Sequence, residues 1–239
     1  MVLWVIAAFA AFFVKGLCGF ANTLVFTSIL GFGAANVNIS PVELLLGYPT
    51  NLILTWENRK QLKASVYLPL VILVLGGSIP GALLLKNADT QILKVVFGIV
   101  VVLIGIEMFF REYRPSKMKE SKLVLGVIGI LSGLLCGLFG IGALLAAYVG
   151  RVTNTADEFK ANISAVFIAE NTFRIITYTL IGVITQDALK HVLYLFPVML
   201  IGLFVGMKSA RILDEKLVKK LVILLLVISG VVLVISNIS

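Results

Sequence analysis

The sequence is poor in charged residues. They make up 13% of its 239 residues, whereas hydrophobic residues make up 60%. Soluble domains are typically about half apolar and about a quarter charged. A chain with so little charge cannot cover itself with a polar surface, which excludes a soluble globular protein. The sequence therefore predicts an integral membrane protein.

Few residues are available for catalysis or for metal binding. The chain has one histidine, His191, and two cysteines, Cys18 and Cys136. Neither a histidine-based metal site nor a disulfide framework is indicated. The sequence also has no HExxH, GxSxG or P-loop pattern. These absences predict a protein that is not an enzyme, binds no cofactor or metal, and does not hydrolyse ATP itself.

Long apolar runs are what the sequence has instead. Continuous runs such as Leu221–Ile235 predict membrane-spanning α-helices, because β-barrel strands would alternate apolar and polar residues. The net charge of +8 is then expected to mark cytoplasmic loops and not a nucleic-acid partner. The predicted helices are 2–14, 21–33, 42–57, 66–86, 92–111, 123–135, 141–150, 161–184, 191–210 and 216–236.

The two halves of the chain resemble each other. Gly16–Val25 aligns with Gly137–Ala146, and a second match further on places Asn51 opposite Asn171. The matches keep the same order at a similar offset, which indicates an internal duplication. The predicted halves are residues 1–113 and 114–239, separated at a basic linker, Arg111–Lys122.

The distribution of Lys and Arg distinguishes two topologies. If every apolar segment crosses the membrane, as eight plain transmembrane helices, the loops on each side carry nine Lys and Arg residues. If 2–33 and 123–150 are re-entrant hairpins, one side carries 15 and the other three. Only the second split follows the positive-inside rule. Each half then has three transmembrane helices plus a hairpin, and this odd number of crossings makes the repeats inverted. A tilted helix in place of each hairpin is the alternative.

The first hairpin would turn in the segment Phe12–Asn22. Gly16 and Gly19 are predicted to let the chain reverse there, with a new helix starting near Phe20. The N-terminus of a helix in an apolar environment binds anions, and Lys15 would add a cation to such a site. The alternative is that Lys15 extends toward the lipid headgroups or pairs with a carboxylate.

Other polar residues lie within the predicted helices. The matched pair Asn51 and Asn171 could bind a substrate between the repeats, or could form interhelical hydrogen bonds. Arg174 lies one helical turn after Glu170, which indicates an internal ion pair. Substrate contact by Arg174 and proton transfer by Glu170 are the functional alternatives. Glu43 is expected near the membrane interface, where it would complement the helix dipole.

The sequence resembles the sulfite exporter TauE/SafE family of bacterial membrane proteins. The resemblance rests on Val14–Leu30, Ser40–Trp56 and Gly137–Leu145, and it extends over essentially the whole chain. It implies a multi-pass secondary transporter of the inner membrane that moves a small sulfur-containing anion, such as sulfite or an organosulfonate. Coupling to protons or to sodium, and assembly into a homo-oligomer, are left open.

The resemblance also implies roles for particular residues. Glycines would shape the two helix breaks: Gly16, Gly19, Gly137, Gly140 and Gly142. Asn22, Thr23, Asn51 and Asn171 would donate hydrogen bonds to the substrate. Lys15 or Arg174 would supply positive charge. An anion channel and a non-transporting membrane subunit of a partner complex are the alternative functions.

Overall fold

A computed structural model describes residues 1–30, 36–87, 122–140 and 142–213, together with single residues and short stretches between 92 and 110 and between 220 and 235. The regular elements of this described part are all helices, which confirms the prediction of an all-α protein. They are α1 (Val2–Cys18), α2 (Asn22–Leu30), α3 (Asn36–Glu57), a 3-10 helix (Arg59–Gln61), α4 (Ala64–Asn87), α5 (Lys122–Phe139), α6 (Ala143–Val152), α7 (Ala156–Leu180) and α8 (Gln186–Ala210). Much of the predicted helices 92–111 and 216–236, almost all of the basic linker, and the boundary between the halves lie outside the described residues.

Many large apolar side chains of the described part are exposed, while several charged side chains lie inside. Ile72 on α4 and Leu193 on α8 are more than 70% exposed, whereas Lys15 and Arg174 are 1% exposed. Within the described residues, α8 and the Ala64–Gly81 part of α4 are long and apolar enough to cross a membrane. Such a surface suits a lipid environment, so the structure agrees with a membrane protein.

The buried apolar residues form two clusters, and each cluster joins helices from both halves of the sequence. One cluster packs α1, α2 and α3 against α8, and we call these helices the first bundle. The other packs α4, α5, α6 and α7 together, and we call these four helices the second bundle; Phe20 and Leu24, near the start of α2, also reach into this cluster. The two bundles meet where α3 lies against α7.

Helices α1 and α8 hold the first bundle together through small residues. A Cβ atom at Gly16 would overlap the carbonyl oxygen of Leu203, and a Cβ at Gly206 would overlap that of Phe13. Residue numbers rise together along this contact, so the two helices run parallel. Gly16 was predicted to shape the helix break, and this prediction is wrong: it lies inside α1 and permits close packing on α8.

The second bundle has a matching contact between α4 and α5. A Cβ at Gly77 would overlap the carbonyl oxygen of Ile130, and one at Gly81 would lie 3.2 Å from Cα of Gly137. Here too the residue numbers rise together, so the helices are parallel. Gly137 therefore belongs to the interior of α5 and not to the break that follows it.

The chain does reverse after α1 and is interrupted after α5. Gly19 and Ala21 have φ angles of 85° and 70°, and Gly140 has a φ of 73°. Glycine adopts this left-handed conformation readily, whereas other residues rarely do. The rings of Trp4 and Phe26 contact each other at 5.9 Å, so α2 runs back alongside α1. The predicted starts of α2 and α6, near Phe20–Thr23 and near residues 141–143, are confirmed.

The close contacts predict that two neighbouring glycines on α4 respond differently to substitution. Gly77→Ala should destabilise the protein by about 1–3 kcal/mol, because the added methyl group would push α4 away from α5. Gly76→Ala is the matched control, since no atom lies within 4 Å of its Cβ position. Thermal unfolding in detergent micelles measures both variants. Equal midpoints for the two would contradict the packing described here.

Candidate functional site

A small polar cavity lies where the two helix breaks face α3 and α7. Its volume is about 20 Å³, enough for one or two water molecules. Most of the predicted site residues line it, and both bundles contribute. From the first bundle come Lys15, Asn22, Thr23 and Asn51, and from the second Gly140, Gly142 and Asn171, with Glu43 and Phe167 as further neighbours.

Lys15 provides a buried cation in the wall of this cavity. Because α1 extends to Cys18, Lys15 lies in its last turn and not in the break, where it was predicted. Its ammonium Nζ points to the carbonyl oxygen of Gly47 at 3.5 Å and lies 6.0 Å from the ring centre of Phe167. With 1% of the residue exposed, Lys15 does not reach the lipid headgroups.

Glu43 also lines the cavity, which the sequence did not predict. The expectation of an interfacial Glu43 is wrong, because α3 begins at Asn36 and the residue is 3% exposed. The hydroxyl of Thr23 donates to Oε1 of Glu43 at 2.7 Å, and the amide of Asn22 donates to the same oxygen. The predicted donors Asn22 and Thr23 are thus directed at a carboxylate of the protein itself.

The matched asparagines Asn51 and Asn171 both line the cavity. Asn51 is 1% exposed, and neither its Nδ2 nor its Oδ1 has a hydrogen-bond partner among the described residues. Leaving a buried polar group without a partner costs about 1–3 kcal/mol. Such exceptions are rare in folded proteins and call for an explanation, such as a ligand or water that completes the bonds.

The cavity also faces two helix N-termini. Asn22 and Thr23 are the first residues of α2, and Gly142 is the residue before α6 begins. The first backbone N–H groups of a helix have no partner within the helix, and they carry a partial positive charge. Together with Lys15, they make the cavity suited to an anion.

Arg174 lies behind the second helix break and is not among the residues that line the cavity. A Cβ at Gly140 would lie 2.5 Å from its Nη1, so the guanidinium packs directly on that glycine. Its Nη2 donates to the hydroxyl of Ser40 at 3.2 Å. Nε lies 3.8 Å from Oε1 of Glu170, which fits the predicted internal ion pair.

Lys160 plays the corresponding part at the first break, and sequence reasoning missed it. Its Nζ donates to the carbonyl oxygen of Gly16 at 3.3 Å, and its side chain lies against Gly19. The signal for Lys160 was weak, because a charge near a helix start usually lies in solvent. Glu43 had a clearer signal, since residues 43, 47 and 51 follow one face of a helix and combine a carboxylate, a glycine and an amide.

Comparison with known proteins supplies the family. Searches of curated proteins and of solved structures found no match. A family model described as "Sulfite exporter TauE/SafE" matches residues 4–233, which is nearly the whole chain. The match includes both helix breaks, the three asparagines of the cavity and Lys15. The chain therefore belongs to the TauE/SafE family of membrane transport proteins.

Proposed function

We propose that this protein is a secondary transporter that moves a small sulfur-containing anion, sulfite or an organosulfonate, across the inner membrane by alternating access. The family supplies the class of substrate. The observation that carries the proposal is the cavity, where the partnerless amide of Asn51 lies with the buried ammonium of Lys15 and the N-termini of α2 and α6. These are donors and positive charges that an oxyanion would satisfy.

The size of the cavity favours a transporter over the alternative, an open anion channel. A volume of about 20 Å³ holds a water molecule or two, whereas sulfite has four heavy atoms. An anion of this size would displace that water and fill the cavity. A continuously open filter would need a connected aqueous path. Accumulation of the anion against its gradient in proteoliposomes would exclude a channel.

The proposal includes two inverted repeats, each with a re-entrant hairpin. Two features support this arrangement. Helix α6 has ten residues, and α2 begins at Asn22, 14 residues before the first described residue of α3; a crossing needs about 20 residues. The contact of α1 with α8 also resembles that of α5 with α4. In the aligned halves α1 corresponds to α5 and α4 to α8, so each of these helices packs against a helix of the other half.

This packing between the halves indicates which parts would move. Rocking of one sequence half against the other would separate α1 from α8 and α4 from α5, where backbones touch at glycines. We therefore assign the moving bodies to the first and second bundles. The substrate cavity lies between these two bundles, as expected for a site that opens alternately to each side.

Cysteine labelling tests the topology. In a background without Cys18 and Cys136, Asn36→Cys and Asn154→Cys should react with an impermeant maleimide from opposite sides of the membrane. Lys60→Cys is the reference and should share the side of Asn154→Cys, since re-entrant hairpins place both loops in the cytoplasm. Eight plain crossings would instead place residues 36 and 154 on one side, opposite residue 60.

Asn51→Ala tests the substrate site. We expect it to weaken sulfite binding about 10- to 100-fold, because a hydrogen bond to a charged ligand contributes about 1.5–3 kcal/mol. The unfolding temperature should stay unchanged or rise, since the amide has no partner within the described protein. Binding of sulfite, sulfoacetate, thiosulfate and sulfate to purified protein measures the effect.

Leu52→Ala is the matched control for that variant. Leu52 is the next residue of α3, and it is 45% exposed on the lipid side. The Leu52→Ala variant should leave the affinity for every anion unchanged. If Asn51→Ala binds sulfite as tightly as the unmodified protein, the cavity is not the binding site.

Lys15→Gln tests the role of the buried cation. It should abolish measurable uptake of sulfite into proteoliposomes, because the ammonium is the only cationic side chain among the described residues that line the cavity. Lys190→Gln makes the same chemical change at an exposed position, where the side chain is 67% accessible. Uptake by Lys190→Gln should equal that of the unmodified protein. Equal loss in both variants would argue against a specific role for Lys15.

A further inference from the structure

Two carboxylates lie in the interior near the cavity, and they differ in their access to it. Glu43 lines the cavity, whereas Glu170 is not among the lining residues. Glu170 lies on α7 beside Arg174, with 3.8 Å between its Oε1 and Nε of that arginine. A proton that arrives through water in the cavity therefore meets Glu43 first.

Among the described residues, the hydrogen bonds to Glu43 all go to one of its two oxygens. The side chains of Asn22 and Thr23 both donate to Oε1. No described residue forms a comparable bond with Oε2, which could therefore accept a proton while Oε1 keeps its two donors. A neutral carboxyl group in this position would also retain its place on the wall of the cavity.

The charges around Glu43 are balanced. The cations that act on it are Lys15 on α1 and Arg174 on α7, and the other anion is Glu170 on α7. The polar neighbours of Glu43 among the described residues include Asn22 and Thr23 on α2, Asn51 on α3, the thiol of Cys136 on α5 and Asn171 on α7. With both carboxylates ionised, the two positive and two negative charges of this group cancel. Lys160 on α7 lies at the first break, against Gly16 and Gly19, and is not among the residues that line the cavity. Adding a monoanion to this interior leaves one unpaired negative charge, which is costly in a low-dielectric environment.

We propose that Glu43 carries a proton that travels with the substrate anion. The step conserves charge: one proton from the aqueous phase binds Oε2 of Glu43, one monoanion binds next to Lys15, and both leave on the other side after the bundles have moved. The result is electroneutral cotransport of a proton and an anion. This proposal rests on the transport function proposed above, and it assigns coupling to Glu43 and not to Glu170.

Proteoliposomes loaded with ³⁵S-methanesulfonate test the two functions separately. Methanesulfonate stays ionised at neutral pH, so it does not cross the bilayer as a neutral acid. Exchange of labelled for unlabelled anion at equal pH reports transport without net proton movement. Accumulation driven by an inward proton gradient reports coupling. One proton per anion and a gradient of one pH unit correspond to about tenfold accumulation.

Glu43→Gln should retain exchange and lose accumulation, with the ratio of inside to outside anion falling to about one. Glu43→Asp keeps a carboxylate and should retain accumulation, which separates coupling from a structural role. Asp187→Asn removes an exposed carboxylate on α8, whose side chain is 81% accessible, and as the control it should accumulate the anion like the unmodified protein. The measurements on the other two variants still test the proposal if Glu43→Gln does not fold.

Three results would overturn the role of Glu43. The first is proton-driven accumulation by Glu43→Gln, which would point to another group such as Lys15. The second is an equal loss of accumulation, with retained exchange, in the surface control Asp187→Asn. The third is accumulation by the unmodified protein that follows a sodium gradient and ignores a proton gradient. Absence of exchange by the unmodified protein would count against transport itself.

Discussion

The structure depends on one constraint: helices that break inside an apolar bundle expose backbone groups that water cannot reach. Such groups must find partners within the protein. Lys160 donates to the carbonyl oxygen of Gly16 near the end of α1, and the guanidinium of Arg174 packs on Gly140 after α5. Both cations come from α7, so a single helix covers the two breaks. This explains why α7 carries so many buried polar residues for a helix within an apolar protein.

Covering the breaks with cations creates a second requirement, because buried charges need partners. Glu170 lies beside Arg174, and Glu43 lies on the cavity wall with Lys15. A site of this kind offers donors and a cation to an anion, yet its own carboxylates keep its net positive charge small. Glu43 also takes up two donors, Asn22 and Thr23, that would otherwise be available to a substrate. In the proposed mechanism the carboxylate would thus limit how strongly an anion binds, and its protonation would compensate the charge of the bound anion.

Much of the fold and part of the site could be predicted from the sequence, because their signals are local. The apolar runs predicted the helices, and the glycine clusters predicted the starts of α2 and α6. The alignment of the halves paired Asn51 with Asn171, and both line the cavity. The charge count favoured hairpins, and the shortness of α6 and of the segment from Asn22 to the start of α3 agrees with that interpretation.

What the sequence could not reveal depends on contacts between distant segments. In the sequence alone, Gly16 indicates a helix break. In the structure α1 continues through Gly16, because α8 packs directly against the backbone of this glycine. This continuation moves Lys15 from the break into the last helical turn. Likewise, the depth of Glu43 depends on where α3 begins and on the donors that α2 presents. The position of Arg174 behind Gly140 brings together residues 34 apart in sequence, which no short-range pattern contains.

The glycine contacts also bear on how such a protein could move. At α1–α8 and α4–α5 the backbones touch, so these pairs resist separation. The contact of α3 with α7 carries the polar residues Asn51 and Asn171 instead, and a water-sized cavity lies beside it. The α3–α7 interface contains polar groups without a partner among the described residues. Separating it therefore breaks fewer favourable contacts than separating α1 from α8 or α4 from α5. The proposed movement between the bundles would therefore separate the weaker interface, and the polar groups that weaken it are those that an anion would satisfy.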